Sequence, residues 1–131
     1  MPYQHTSHGI TVSVEVDYVP QEESGHDDRY LWAYHITLIN GSDEVVQLKT
    51  RHWTIMDGLG RVQVVEGPGV VGEIPILRPG QTYTYSSGCP LPTPSGSMGG
   101  YYMFERDDGV ALRVTIPDFS LDLPDIKRVL N

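Results

Sequence analysis

No stretch of this sequence keeps a 3.6-residue apolar period over three turns, whereas a two-residue period recurs along the chain. Val12, Val14 and Val16 share one parity, and Ser13, Glu15 and Asp17 hold the other. That is the pattern of a strand with one dry face and one wet face. Residues 30–40 are apolar on both parities, which predicts a central strand or one with a covered outer face. The 14 glycines and 10 prolines among 131 residues are spread between such segments and act as punctuation. Seven to eight short antiparallel strands, with turn signals about every 8–12 residues, predict an all-β immunoglobulin-like sandwich spanning residues 1–131 as one domain. A Greek-key barrel is the alternative.

Local chemistry refines this layout. Asn40-Gly41 is a strong signal for a tight hairpin turn, because both residues tolerate positive φ. Downstream, Val46 and Leu48 are apolar on one parity but Trp53 and Ile55 on the other. A bulge between Lys49 and His52 would return all four to one core. Turns are expected at residues 57–60, at Pro79-Gly80 and at Asp107-Asp108-Gly109. The prolines at 90, 92 and 94 predict an extended crossover over residues 89–95. Val110, Leu112, Val114 and Ile116 are expected to face inward on a last strand that Pro117 stops. Residues 21–28 read as a polar loop, His5 and His8 as part of an unpaired N-terminal stretch, and residues 121–131 as a short helix or a loose tail.

Composition excludes several classes of function. Seventeen acidic residues against nine Lys plus Arg give a net charge of −8, the opposite of the basic stripe that nucleic-acid binding requires. No apolar run is long enough for a membrane helix, and the first residues do not resemble a secretion signal, so a cytoplasmic location is expected. The single cysteine, Cys89, cannot form an internal disulfide, and nothing beside it in sequence supplies the base a nucleophile needs. The five histidines are scattered, so no metal site and no cofactor are expected. The sequence reads as non-catalytic.

Gly67-Pro68-Gly69-Val70-Val71-Gly72 matches G-x-G-x-x-G, but two prolines follow and no helix does, so a dinucleotide-binding turn is excluded. The glycines suit a tight loop needing positive φ. The loop could also form a backbone nest for a diphosphate, using Gly67, Gly69, Val70, Val71 and Gly72, with Arg51 and Arg61 supplying charge if the strands bring them near. Glu66 and Glu73 would oppose an anion there. The chain also has eight tyrosines, two tryptophans and two phenylalanines. That is more than one small core encloses, so an outward aromatic face for a protein partner or a second copy is expected.

Arg51-His52-Trp53, Gly69-Val70-Val71-Gly72-Glu73, Pro79-Gly80, Ser87-Gly88, Thr93-Pro94 with Gly96 and Met98, and Ile116-Pro117 with Phe119-Ser120-Leu121 resemble, in that order, the motifs of the ApaG family. The resemblance covers residues 8–124. It implies a fibronectin type III-like β-sandwich. It also implies an association with cobalt resistance and magnesium efflux, a role as a protein-interaction module, and a glycine-rich loop suggested as a diphosphate site. It implies no enzymatic activity. The expected function is therefore a non-catalytic binding domain for a protein partner, with a diphosphate-containing small molecule as the alternative ligand.

Overall fold

The computed structural model describes residues 3–20 and 29–124, and these form two antiparallel sheets packed face to face. Nine strands follow one another: β1 Tyr3–Ser7, β2 Ile10–Val19, β3 Tyr30–Asn40, β4 Val46–Asp57, β5 Val62–Pro68, β6 Ile76–Leu77, β7 Thr82–Leu91, β8 Gly96–Arg106 and β9 Ala111–Leu121. One sheet has the order β1-β2-β3-β7 and the other β5-β4-β8-β9, with the two-residue β6 also paired to β4. The sandwich expected from alternation is present. Ile10, Val12 and Val14 of β2 and Trp32, Tyr34, Ile36 and Leu38 of β3 are buried from one sheet. Val46, Leu48 and Trp53 of β4, Tyr102 and Phe104 of β8, and Val114, Ile116 and Phe119 of β9 are buried from the other. β3 is a central strand, paired with β2 on one side and β7 on the other, which accounts for its two apolar parities.

The parity slip in β4 is resolved as expected. Leu48 pairs with Phe104 and Thr50 with Met103, so Lys49 is the extra residue of a bulge. Beyond it Arg51, Trp53 and Ile55 point to the same side as Val46 and Leu48. A second irregularity lies between β8 and β9, where Met98 pairs with Phe119 but Gly100 with Ile116. β9 therefore runs through Pro117 instead of stopping there. The bulge absorbs the residue that cannot donate to a ladder.

Several other local expectations are corrected. Asn40-Gly41 is not a hairpin turn: neither residue has positive φ, and the chain crosses from one sheet to the other there. Asn40 is fully buried, and its side chain organises the crossover. Nδ2 donates to the carbonyls of Glu44 (2.8 Å) and Leu77 (3.0 Å), while Oδ1 accepts from Ser42 N (3.0 Å) and Ser42 Oγ (2.6 Å). Every hydrogen-bonding position of the amide is used. The N-terminal stretch is strand β1, with His5 opposite Val12, and His8-Gly9 at φ 54° and 80° makes the tight turn into β2. Cys89, Pro90 and Leu91 belong to β7, an edge strand where proline is tolerated, so only residues 92–95 cross between sheets. Val110 is exposed at the start of β9, unlike Leu112, Val114 and Ile116. The expectations for residues 21–28 and for the end of the tail lie outside the described residues.

The two flanks of the sandwich differ. At β1 and β9 the layers are stitched: Tyr3 Oη lies 3.3 Å from Ser120 Oγ, Thr115 N donates to Ser7 Oγ (3.1 Å), and the Tyr3 and Phe119 rings sit 5.9 Å apart. At the opposite flank β5 and β7 are the free edges of their sheets, and the layers part around a cleft.

Candidate functional site

The cleft between the β5 and β7 edges encloses about 390 Å³, within the usual range for ligand sites. Bulged β4 supplies its floor with Arg51, Trp53 and Ile55. Val65 and Gln63 line it from β5, Ser87, Cys89 and Pro90 from β7, and Tyr34, Tyr85 and Met98 from the core. Val70 and Val71 close one end, and Arg29 also lines it. No aspartate or glutamate lines the cleft, although the chain carries a net charge of −8.

Aromatic packing holds the floor rigid. Trp53 lies 5.3 Å from Tyr34, 6.5 Å from Tyr102 and 6.1 Å from Phe119 between ring centroids. Tyr85 and Tyr102 hydrogen-bond through their hydroxyls, which satisfies two phenols set deep in the core. Burial pushes both phenols up, and neither ionises near neutral pH. The Arg51 charge pulls weakly the other way on Tyr34, Tyr85 and Tyr102, which places its guanidinium at their end of the cleft.

The same arginine explains the glycine-rich loop. Arg51 Nη1 donates to the carbonyls of Pro68 and Gly69, both at 3.0 Å. To reach them the guanidinium passes over Gly67, where an added Cβ would lie 3.1 Å from it. Gly69 has φ +62°, and a Cβ there would lie 2.2 Å from the Glu73 carbonyl oxygen. Val70 and Glu73 exchange both backbone bonds (2.8 and 2.9 Å) around Val71 and Gly72, at φ 41° and 82°. That is a two-residue turn with both central residues left-handed. Each glycine of the motif thus has a steric or conformational reason within the loop. The Gly69 and Val70 amides are bound to Lys49 O and Glu73 O. Pro68 has no N–H to offer. Replacing Arg51 by Met is expected to cost about 1–3 kcal/mol, the range for hydrogen bonds from a charged donor. Urea unfolding and faster amide exchange at residues 69–73 would measure it.

The structure brings Arg51, Val70 and Val71 together at the cleft. Gly67 faces a shallower depression on the outer sheet surface, with His52, Glu66 and Tyr101, while Gly69 and Gly72 line neither. Arg61 is elsewhere, at the far end of the β4–β5 hairpin, with Nε 2.7 Å from Asp57 Oδ2. Asp57 also accepts from the Leu59 and Arg61 amides (2.9 and 3.0 Å). Burial pushes its carboxyl up, and the Arg61 and Leu59 donors outweigh burial, so it stays below the ordinary carboxylate range. A depressed folded-state pKa gives stability that is complete above the unfolded value of about 3.9 and is lost as pH falls through the lower folded value. Asp57→Asn is therefore expected to narrow the stability gap between about pH 6 and about pH 3 in denaturant titrations.

The other candidates have structural roles. His52 stacks on Tyr101 (4.7 Å, 8° between planes), and its Nδ1 lies 2.7 Å from Glu66 Oε2. Arg113 covers the Tyr101 ring at 3.8 Å. His35 bonds Ser86 Oγ at 2.7 Å. Among the described residues no three His, Cys, Asp or Glu side chains could hold a metal ion together. Burial pushes the Cys89 thiol up to about 11. At pH 8 only about one molecule in a thousand would carry the thiolate. Alkylation by iodoacetamide is expected to run at least about a hundredfold slower than for free cysteine, as mass spectrometry would show. The expected outward aromatic face is absent among the described residues. Tyr18 and Tyr30 pack against Trp32 at 5.6 and 6.4 Å, and the large exposed apolar side chains are aliphatic apart from the thioether Met56.

Sequence reading had found Arg51, Val70 and Val71. It missed Arg29, Trp53, Ile55, Gln63, Val65, Ser87 and Met98 as cleft residues, because no local signal marks which edges face each other across a sandwich.

Comparison with known proteins agrees with this architecture. Residues 20–106 match the family model described as the ApaG domain. Curated relatives named Protein ApaG, from Paramagnetospirillum magneticum and Afipia carboxidovorans, are each 50% identical over 129 residues, covering 98% of this chain and 99% of theirs. Their name assigns no catalytic activity. A crystal structure of a Bordetella pertussis protein named ApaA superposes with a TM-score of 0.83 at 44% identity, covering 88% of this chain and 94% of that one. A structural-genomics X-ray structure gives 0.85 at 38% identity, with 95% of each chain covered. The chain belongs to the ApaG family.

Proposed function

We propose that this protein is a non-catalytic binding domain that receives a segment of a partner protein in the cleft between β5 and β7. The observation that carries the reading is the asymmetry of the sandwich. One flank is stitched shut, and the other leaves two sheet edges free beside an apolar, aromatic cleft. Free edges offer unpaired main-chain donors and acceptors, and a cleft between them offers side-chain selectivity. Cys89 is the one nucleophile in the cleft wall, and its raised pKa disfavours catalysis.

The experiment is co-purification from a native cell using the wild-type protein and Ser87→Trp in parallel. Ser87 lines the cleft from an edge strand, so the indole fills the cleft with little disturbance of the core. A partner held by the wild type and lost by the variant is expected, with matched thermal melting curves. An identical set of captured proteins would end this reading.

The alternative is a diphosphate ligand at residues 67–72. The Arg51 guanidinium beside the loop favours it, and the bound amides of Gly69 and Val70 count against it. Amide shifts at residues 67–73 on titration with inorganic diphosphate would support it. The association with cobalt and magnesium is best read as acting through the partner, and a cytoplasmic location is part of the same proposal.

A further inference from the structure

The cleft has a charge pattern along its length. Arg51 pairs with Gly67 in the β4–β5 ladder, Trp53 with Val65, and Ile55 with Gln63. Arg51 therefore marks one end, beside Val70 and Tyr85. The other end lies toward Met56, where a Cβ on Gly96 would meet both Met56 O (2.5 Å) and Leu91 Cδ1 (2.6 Å). Leu91 pairs with Tyr30, and Arg29 precedes Tyr30, so Arg29 lines the cleft at this second end. Four residues of β4 separate Arg51 from Ile55, roughly 13 Å at about 3.4 Å per residue. Between the two cationic ends lie Trp53, Val65, Met98 and Cys89.

The outer side of the same edge is different. Val62 and Val64 are 59% and 53% exposed, next to Met56 at 42%. Glu66 is also on this outer side, bonded to His52. An added strand on β5 would present alternate residues to these two environments.

We propose that the partner segment is an extended, acidic strand that pairs antiparallel with β5 and carries an acid–apolar–acid pattern on alternate residues. Its inward side chains stand opposite Gly67, Val65 and Gln63. There they meet Arg51, the Trp53–Met98 floor and the Arg29 end in turn. Its outward side chains stand opposite Glu66, Val64 and Val62, which calls for a neutral polar residue and then two β-branched apolar ones. The absence of carboxylates from the cleft wall, in a chain of net charge −8, is the complementarity that selects this occupant over a basic one. The proposal rests on the cleft being the partner-binding site, as inferred above.

The probe is the capped hexapeptide Glu-Thr-Phe-Val-Glu-Val, with Lys-Thr-Phe-Val-Lys-Val as its control. The acidic peptide is expected to bind at least about tenfold more tightly at low salt, with the advantage shrinking toward about 0.5 M salt. It should also slow amide exchange along residues 62–67. Gln63→Glu, an exposed change on the cleft wall that leaves folding intact, is expected to weaken the acidic peptide several-fold and strengthen the basic one. Equal affinity for the two peptides would overturn the proposal. So would shifts at Trp53 and Met98 without protection of the β5 amides, the signature of a small apolar anion. If the peptide fails while Ser87→Trp still abolishes partner capture, the acidic-strand inference falls and the binding-domain reading stands. If Ser87→Trp leaves capture unchanged, both fall.

Discussion

Replacing Gly100 by alanine is expected to destabilise the protein by about 3 kcal/mol or more, enough to consume a large part of an ordinary domain's stability. Gly100 sits in the middle of β8 at φ +151°, beside the bulge that accommodates Pro117. A Cβ there would lie 1.9 Å from the carbonyl oxygen of His52 and 3.1 Å from the Trp53 Cα, both backbone atoms of the paired strand β4. A flexible side chain could swing aside, but a ladder cannot. The strands must separate locally or the residue must leave its conformation, and strained backbone of this kind costs roughly 1–3 kcal/mol before any packing is lost. Chemical denaturation of Gly100→Ala against wild type measures this. Gly109→Ala is a useful control, because its φ is +87° but nothing lies within 4 Å of an added Cβ. It isolates the conformational part, about 1 kcal/mol or somewhat more. If the two variants lose equal stability, the close approach of β8 to β4 is not what demands glycine.

Trp53→Ala is expected to cost about 3–5 kcal/mol, the range for removing a buried aromatic. Trp53 is 3% exposed and contacts rings from both sheets, Tyr34 on one and Tyr102 and Phe119 on the other. Its loss therefore weakens the joint between the layers as well as leaving a void. The cleft floor would sink, because Trp53 separates the cleft from the core. Trp53→Phe should recover part of the stability and Trp53→Leu less, since the ring contacts depend on aromatic geometry. Thermal melting and tryptophan fluorescence, with Trp32 as the remaining indole, would follow the series. A loss below about 1 kcal/mol for the alanine variant would mean that the core closes around the gap.

The parts of this fold legible in the sequence are those governed by a single strand and its own two faces. The valines of β2 announce their buried face. The phase change between Leu48 and Trp53 located the β4 bulge, because a period of two admits only one way to return both to one core. The turns at Pro79-Gly80 and Asp108-Gly109 also form where expected, with φ +84° at Gly80 and +87° at Gly109. What failed depends on distant partners. Asn40-Gly41 has the residues of a tight turn, yet the burial of Asn40 and its bond to Leu77 O turn it into a sheet-switching knot. β1 is polar and mostly exposed, so alternation could not reveal that its backbone pairs with β2. Pro117 looked like a stop because the bulge that tolerates it is set by the register between β8 and β9. Of the site, Arg51 was found through its place beside a glycine motif. Its work there is to hold two carbonyls, a role that depends on the β4–β5 register, which the sequence does not show.

The stitched flank has a mechanical consequence. With Tyr3 and Ser7 tied to Ser120 and Thr115, and the Trp32 indole N–H bonded to the Asp122 carbonyl at 2.8 Å, the two layers behave like book covers joined along a spine. Any breathing that parts them pivots there and is greatest at the fore-edge between β5 and β7. A guest wedged at that fore-edge acts at the longest lever arm available, so modest contact forces can set the angle between the covers.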